Sequence, residues 1–371
     1  MAFTGQLRSN EIFAALYNMI ISQQVFADNL KGTNSTLADK MRVDGGLAGD
    51  TKLYFATNCL SSVEWMNDAE AANLLELERP EAPEVQAIYI DKFRQIRLTV
   101  DNYLSKRAWS DEGTFSSFNS VMLGWIRDTK KVYDSKLVNV FACTTETNIG
   151  KQEQTITVNE GDNFGLITAE KLANILVDLK EADYDYNDYG FIRSYDESDF
   201  IVIWNAEVYN AIKKVDLPVV YHINGLLGEF EQQVLPAKYF GETFDETGTG
   251  TTTANNTTIR SLIEKKYQVA SAAAHPRAVK AKDGNFYVNC FPGDLLPNSV
   301  SYDKTEVYTQ KDDIAFKVIH KRSIPFMSAF EVGTSFFNPR SLTETHYLTF
   351  SHNTLDYLKN YPFITVKVIE A

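Results

Sequence analysis

The strongest periodic signal lies between residues 114 and 143. There Phe115, Phe118, Met122, Trp125, Thr129, Val132, Lys136 and Val140 step by 3, 4, 3, 4, 3, 4 and 4. That spacing predicts one long helix with Phe118, Met122, Trp125 and Val132 on its core face. At 1.5 Å per residue such a helix runs about 44 Å. Just before it, residues 85–109 read VQAIYIDKFRQIRLTVDNYLSKRAW, with no Gly, Pro, Cys or His. The stiff β-branched residues there predict strand through about residue 101. Lys92, Arg94, Arg97, Lys106 and Arg107 interrupt it on both faces, so it reads as a ribbon unable to bury either side in its own core.

The remaining pattern is mixed. Residues 10–30 predict a helix, since Ile12, Leu16, Met19, Ile20, Phe26 and Leu30 recur at helical steps. Residues 32–50 are small, polar and Gly-rich, hence an extended connection. TKLYFATN (51–58) alternates as a strand, and QTITVNEGD as strand and turn. ITAEKLANILVDLKEA (167–182) is an amphipathic helix. FIVIW (200–204) is a continuous apolar run, as in a buried central strand, and NAEVYNAIKKV follows as a helix. GETFDETGTGTTTANNTT (241–258) reads as an exposed flexible loop, and IRSLIEKKYQVAS (259–271) as a helix. FYVNCF, EVYTQ, IAFKVIHKR and FITVKVIE read as strands, giving an α+β chain.

Composition narrows the function. The 371 residues are 44% hydrophobic, enough for a substantial core and two or three lobes. Thirty-six basic and 49 acidic residues leave a net charge of −13, which disfavours nucleic-acid binding as the main activity. Cys59, Cys143 and Cys290 are odd in number and far apart, which points to a reducing compartment without a disulfide frame. The N-terminus lacks signal-peptide features and no apolar window is long enough for a membrane span.

Candidate chemistry is sparse. Phosphate-loop, GxGxxG, GxSxG and HExxH patterns are all missing. The five histidines, His222, His275, His320, His346 and His352, have no ligand spacing, so no metal or cofactor is expected. Asp183, Asp185 and Asn187 imitate the start of a calcium loop, but Asp188 stands where Gly is needed and Ser194 where a bidentate Glu is needed. Glu197 and Asp199 offer paired carboxylates for a glycosidase, and the Tyr/Asp cluster at 183–204 suits a carbohydrate-active enzyme or binding module. Tyr184, Tyr186, Tyr189 and Tyr195 equally suit a subunit contact, where Tyr is enriched. No catalytic constellation is complete, so an enzyme is not expected.

The order of parts resembles that of tailed-phage major capsid proteins, the Johnson fold shared with encapsulins and herpesvirus capsid floors. An arm at 1–50 leads to a hairpin out through TKLYFATN and back through VQAIYIDKFRQIRLTVDNY. The long helix FSSFNSVMLGWIRDTKKVYDSKLVNVFACTT follows, then an α/β lobe with DFIVIWNAEVYNAIKKVDLPVVYHINGLLG, then ETHYLTFSHNTLDYLKNYPFITVKVIEA. The phrase LTVDNYLSKRAWSDEGTFSSF looks like that family's turn from E-loop into spine helix.

The resemblance implies an N-terminal arm at 1–50, an E-loop at 51–109, and a P-domain at 110–160 and 315–352 with spine helix 114–143. It puts the A-domain at 161–314 and 353–371, with a flexible loop at 241–258. It implies that the E-loop lies on a neighbouring subunit through Ile88, Ile90, Lys92, Phe93, Arg94 and Arg97. Tyr184, Tyr186, Tyr189 and Tyr195 then face another A-domain. The implied function is a shell subunit that forms hexamers and pentamers of an icosahedral phage head around double-stranded DNA, held only non-specifically. Such a chain assembles in the host cytoplasm and resides in the virion. A separate scaffolding protein, a portal and decoration proteins are the implied partners. An encapsulin-like compartment is the alternative within the fold. This sequence offers no recognisable Lys-Asn-Glu trio, so no covalent cross-link between subunits is expected.

Overall fold

A computed structural model describes residues 36–47, 49–62, 79–101, 112–147, 149–215, 231–244, 246–252, 257–260 and 265–370; side chains at 36, 112–123, 213–215, 265 and 370 are not described. The expected helix at 10–30 lies outside these residues. In chain order the first elements are α1 (Thr36–Lys40), β1 (Arg42–Asp44), β2 (Thr51–Ala56), β3 (Glu84–Tyr89), β4 (Lys92–Asp101) and α2 (Glu112–Thr144). Then come β5 (Glu153–Val158), α3 (Phe164–Lys180), β6 (Phe200–Asn205), α4 (Ala206–Val215) and β7 (Glu231–Leu235). Short strands follow: β8 (Gly241–Thr243), β9 (Thr249–Thr251), β10 (Thr257–Ile259), β11 (Lys265–Val269), β12 (Val279–Lys280), β13 (Phe286–Cys290), β14 (Ser301–Asp303) and β15 (Val307–Gln310). The last strands are β16 (Ile314–His320), β17 (Phe326–Asn338), β18 (Thr343–His352) and β19 (Phe363–Glu370).

The long helix is present. Its 33 residues span about 50 Å. Its buried stripe, however, is offset from the expected one. Ile126, Lys130, Asp134, Leu137, Val138 and Phe141 face inward, while Trp125 is 48% exposed and Val132 only half-buried. Trp125 is therefore not a core residue of this chain. The core stripe was hidden because Lys130 and Asp134 occupy two of its positions as a buried ion pair 3.1 Å apart. The side chains of Phe118 and Met122 lie outside the described set.

Two sheets pack along this helix. Strands β1, β17, β18 and β4 form one, in that order. Its inner face sets Ile96, Leu98, Leu348 and Phe350 against Ile126 and Tyr133 of α2. The second sheet runs β5-β19-β16-β6-β7. FIVIW is its buried interior strand, between antiparallel β16 and parallel β7. One face carries Ile201, Ile203, Ile319 and Phe363 towards Leu37, Met41, Leu137 and Phe141. The other carries Val202, Trp204, Phe316, Val318 and Val366 towards Leu172, Ile175, Leu176 and Leu179 of α3 and Ile212 of α4. Alternating residues thus serve opposite layers, as period two requires. Asn163 caps α3, its side chain accepting from the Leu166 N–H.

Four expectations need correction. The ribbon at 85–101 is not one strand: it breaks at Ile90–Asp91 into β3, which pairs with β2, and β4, which pairs with β18. The expected loop at 241–258 contains β8, β9 and part of β10, and Thr252, Thr257 and Thr258 are buried. Its Thr and Gly content suits short paired strands around a small core of Ile259, Tyr267, Val269, Val288 and Val307. The expected helix at 259–271 contains strand β11, because Tyr267 and Val269 alternate into that same core. Finally, β5 and β16 belong to the sheet of β6, so that sheet crosses the expected boundaries at 161 and 315.

Gly293 illustrates how tightly the small β lobe meets the helix. It has a φ of 83°, and a Cβ there would come within 2.6 Å of the Tyr239 ring and 3.5 Å of Val140.

Candidate assembly surface

The outer face of the four-stranded sheet is exposed on β4 and β17, while on β18 Ser351 is buried and Thr345, Tyr347 and Thr349 are half-buried. Register places Phe330, Val332, Thr334 and Phe336 of β17 beside Ser351, Thr349, Tyr347 and Thr345 of β18. These in turn lie beside Phe93, Gln95, Arg97 and Thr99 of β4. Phe93, Phe330, Val332 and Phe336 are exposed, Phe336 at 65%. Beyond Ser328 no strand pairs with the free edge of β17 among the described residues. The β17–β18 turn carries Leu342 at φ 52°, exposed and in the left-handed region. Unpaired edges and uncovered apolar faces are what folded proteins ordinarily blunt or cover.

The opposite face is held by polar contacts as well as apolar ones. Asp134 of α2 accepts from Arg42 at 3.1 Å and from Lys130 at 3.1 Å, and Lys130 also meets Glu331 at 3.2 Å. The Arg94 guanidinium lies 5.7 Å from the centre of the Tyr133 ring. The Tyr133 hydroxyl is 3.0 Å from Nε2 of His352, whose pKa burial lowers.

A second exposed face belongs to the β2–β3 hairpin. Leu53, Phe55, Val85 and Tyr89 point outward and are exposed. Its other side is closed within the subunit: Ile88 and Ile90 are buried with Met327 and Leu358. Ile88 and Ile90 are thus core residues of this chain, not the interface expected of them. Lys92 pairs with Asp91 at 3.0 Å, and Arg94 turns inward onto Tyr133. Of the six expected interface residues, Phe93 and Arg97 point out into solvent.

The C-terminal end of α2 has no basic residue in its last turn. Three distant cations converge there instead. The fully buried Lys317 donates to the Thr145 carbonyl at 2.7 Å. Arg260 donates to the Thr144 and Thr145 hydroxyls at 2.9 and 3.0 Å. Lys367 joins Glu146, Glu153 and Glu242 at 3.5, 3.0 and 2.9 Å. They complement the negative end of the helix dipole. Burial drives the Lys317 amine down to about 8 and the neighbouring Cys143 thiol up to about 12. Burial opposes charge on Lys367, but its bonds to Glu242 and Glu153 outweigh this and hold its pKa above the ordinary lysine value.

The Tyr/Asp cluster is mostly internal. Tyr186 is buried and donates to Asp178 at 3.1 Å. Tyr195 donates to the Asn360 carbonyl at 2.9 Å and packs edge-on to Phe200. Tyr189 stacks beside Phe191, and only Tyr184 of the four is exposed. Tyr186 and Tyr195 are therefore unavailable as contacts to another subunit. Asp183 and Asp185, the apparent calcium ligands, both bind the Lys151 ammonium at 2.9 Å. Among the described residues no His, Cys, Asp or Glu group converges as a metal site, and no helix is long and apolar enough to cross a membrane.

Sequence reasoning missed Lys317 and Arg260, since nothing local links either to the end of a helix more than a hundred residues earlier. It also passed over FEVGTSFF, although Phe330, Val332 and Phe336 alternate at strand period.

No protein-family model matches the chain, and no curated protein does. Solved structures do. The capsid structure of Staphylococcus phage Andhra aligns with a TM-score of 0.57 at 10% identity, over 89% of this chain and 83% of that one. A chain in the structure of the head fiber and inner core protein gp22 of native bacteriophage P68 aligns equally well, with the same coverage and identity. The fold is thus the α+β Johnson fold of tailed-phage capsid subunits.

Proposed function

We propose that this chain is the major capsid protein of a tailed phage, a structural subunit that assembles with itself into hexamers and pentamers of an icosahedral head around DNA. The observation that carries the proposal is the pair of exposed apolar β faces on one subunit: Leu53, Phe55, Val85 and Tyr89 on the β2–β3 hairpin, and Phe93, Phe330, Val332 and Phe336 on the four-stranded sheet. Each needs a partner, and the two differ, so repeated contacts between them are heterologous and build rings and shells. Standard interfaces bury roughly 1,200–2,000 Å², a size within reach of two extended β surfaces.

In this reading α2 with the four-stranded sheet is the P-domain, the β2–β3 hairpin is the base of the E-loop, and the five-stranded sheet with α3 and α4 centres the A-domain. Phe93 and Arg97 contact the adjacent subunit. A scaffolding protein, portal and decoration proteins complete the particle, which resides in the virion after assembly in the host cytoplasm. A carbohydrate site at 183–204 has little support, because Tyr186 and Tyr195 are spent on the subunit's own core.

Sedimentation velocity and negative-stain microscopy of the purified chain test the proposal. Capsomer-sized rings or megadalton shells are expected. A stable monomer at tens of micromolar, with no particles under any salt condition, overturns it.

A further inference from the structure

The β2–β3 hairpin stands apart from the larger sheets: among the described residues its strands pair with each other and with no other strand. A lone two-stranded hairpin is marginal in water and needs packing to hold its shape. Its own apolar seat is small, with Ile88 beside Ile90, Met327 and Leu358. Two polar side chains supplement it, and they join the hairpin to two segments far away in sequence. One segment is residues 187–193, which follow α3, and the other is residues 353–361, between β18 and β19.

Gln86, opposite Tyr54 on the inner face of the hairpin, uses its whole amide. Its Nε2 donates to the Tyr357 carbonyl at 2.8 Å and the Asp356 carboxylate at 3.2 Å, and its Oε1 accepts from the Lys359 N–H at 3.1 Å. Arg193 holds the end of β2. Its Nη2 donates to the Thr57 carbonyl at 2.6 Å, while Nε and Nη2 donate to Asn360 Oδ1 at 3.1 and 3.0 Å. The neighbouring Ile192 N–H donates to Asn58 Oδ1 at 3.0 Å. The two outer segments are themselves joined, since the Asp188 N–H donates to the Lys359 carbonyl at 2.9 Å and the Tyr357 hydroxyl donates to the Asp188 carboxylate. Together they form a socket. Gln86 and Arg193 are half-buried and bond to exposed or half-buried groups, so their loss opens no cavity in the cores around α2 and α3. What their bonds fix is the direction of the hairpin.

We propose that Gln86 and Arg193 are positioning residues for assembly: they seat the hairpin in a socket of its own subunit, so that its outer face is formed and aimed before a neighbour arrives. That face carries Leu53, Phe55, Val85 and Tyr89. The inference rests on the proposed shell function, and adds that the hairpin does not wait for a partner to order it. Order supplied within the subunit removes an entropy cost from every contact that assembly makes. A fixed direction matters as well, because head-to-tail contacts close into a ring only when each copy repeats the same rotation.

Arg193→Ala and Gln86→Ala, made singly in the full chain, test it. Hydrogen exchange and thermal melting are measured on subunits below the assembly threshold, and the critical concentration for assembly by sedimentation velocity. Each variant is expected to melt as the wild type does. Amides of Thr51–Ala56 and Glu84–Tyr89 should exchange roughly tenfold faster, while those of β6 and α3 keep their rates. The critical concentration should rise roughly tenfold, since each contact must then order the hairpin. A lower melting temperature with faster exchange throughout marks a merely structural role and overturns the proposal. Unchanged hairpin exchange in both variants overturns the seat, and faster hairpin exchange with wild-type assembly overturns the positioning role; in both cases the shell function stands. If Arg193→Ala does not fold, Gln86→Ala alone decides by the same readings. If the wild type forms no particles, the shell function and the assembly role fall together, and hairpin exchange alone decides whether the seat exists.

Discussion

The Lys317 ammonium donates to the Thr145 carbonyl at 2.7 Å, just past the last turn of the long helix and out of contact with water. Burial lowers its pKa to about 8 from the ordinary 10.5. Between those values the unfolded chain holds the proton and the folded chain does not, so stability from this group rises with pH. Below about 8 the full cost of burying the charge is present. Denaturant midpoints measured from pH 7 to 10 should therefore rise for the wild type relative to Lys317→Met, whose burial carries no proton. A constant difference across that range would mean Lys317 titrates normally.

Asp134 holds two cations on the inner face of the sheet, Arg42 and Lys130. Asp134→Ala leaves the nearly buried Lys130 with only Glu331. A loss of about 3 kcal/mol is expected, since removing one partner strands a buried charge. Urea unfolding of dispersed subunits measures it, and a loss under 1 kcal/mol would show the network to be slack.

Trp125 and Leu137 should behave oppositely to what bulk alone suggests. Leu137 is buried against the second sheet, so Leu137→Ala is expected to cost about 2–5 kcal/mol. Trp125→Ala, on the exposed side, should stay within about 0.5 kcal/mol in the dispersed subunit. Equal losses would place the tryptophan back in the core.

Phe55→Asp and Phe336→Asp each put a charge on one of the two exposed faces. Both variants should melt as the wild type does and yield few particles on a sucrose gradient. Arg97→Glu, on the same outer face as Phe336, should do likewise. Normal particle yields from all three would remove these faces from the assembly.

Much of the architecture was legible. The long helix, the α3 and α4 helices and the buried FIVIW strand each carry enough residues for their period to stand out. The break at Ile90–Asp91 was not legible, because no Gly or Pro marks it; pairing with two different sheets imposes it. Residues 241–271 misled because threonine-rich strands of three residues leave no measurable period and gain their order from partners in β13, β14 and β15. Exposure was the hardest property to infer. Ile88 and Phe93 are similar in sequence, and only the register of their strands separates a core residue from a surface one.

The placement of β19 bears on biosynthesis. It sits between β5, with which it runs parallel, and β16, pairing Thr365 with Glu153. During translation β5 emerges long before that partner exists, so the five-stranded sheet stays open until the final strand has cleared the ribosome. Pairings this distant close slowly. A nascent chain thus carries an unfinished lobe, with β5 and β16 lacking the strand that joins them, until β19 has emerged.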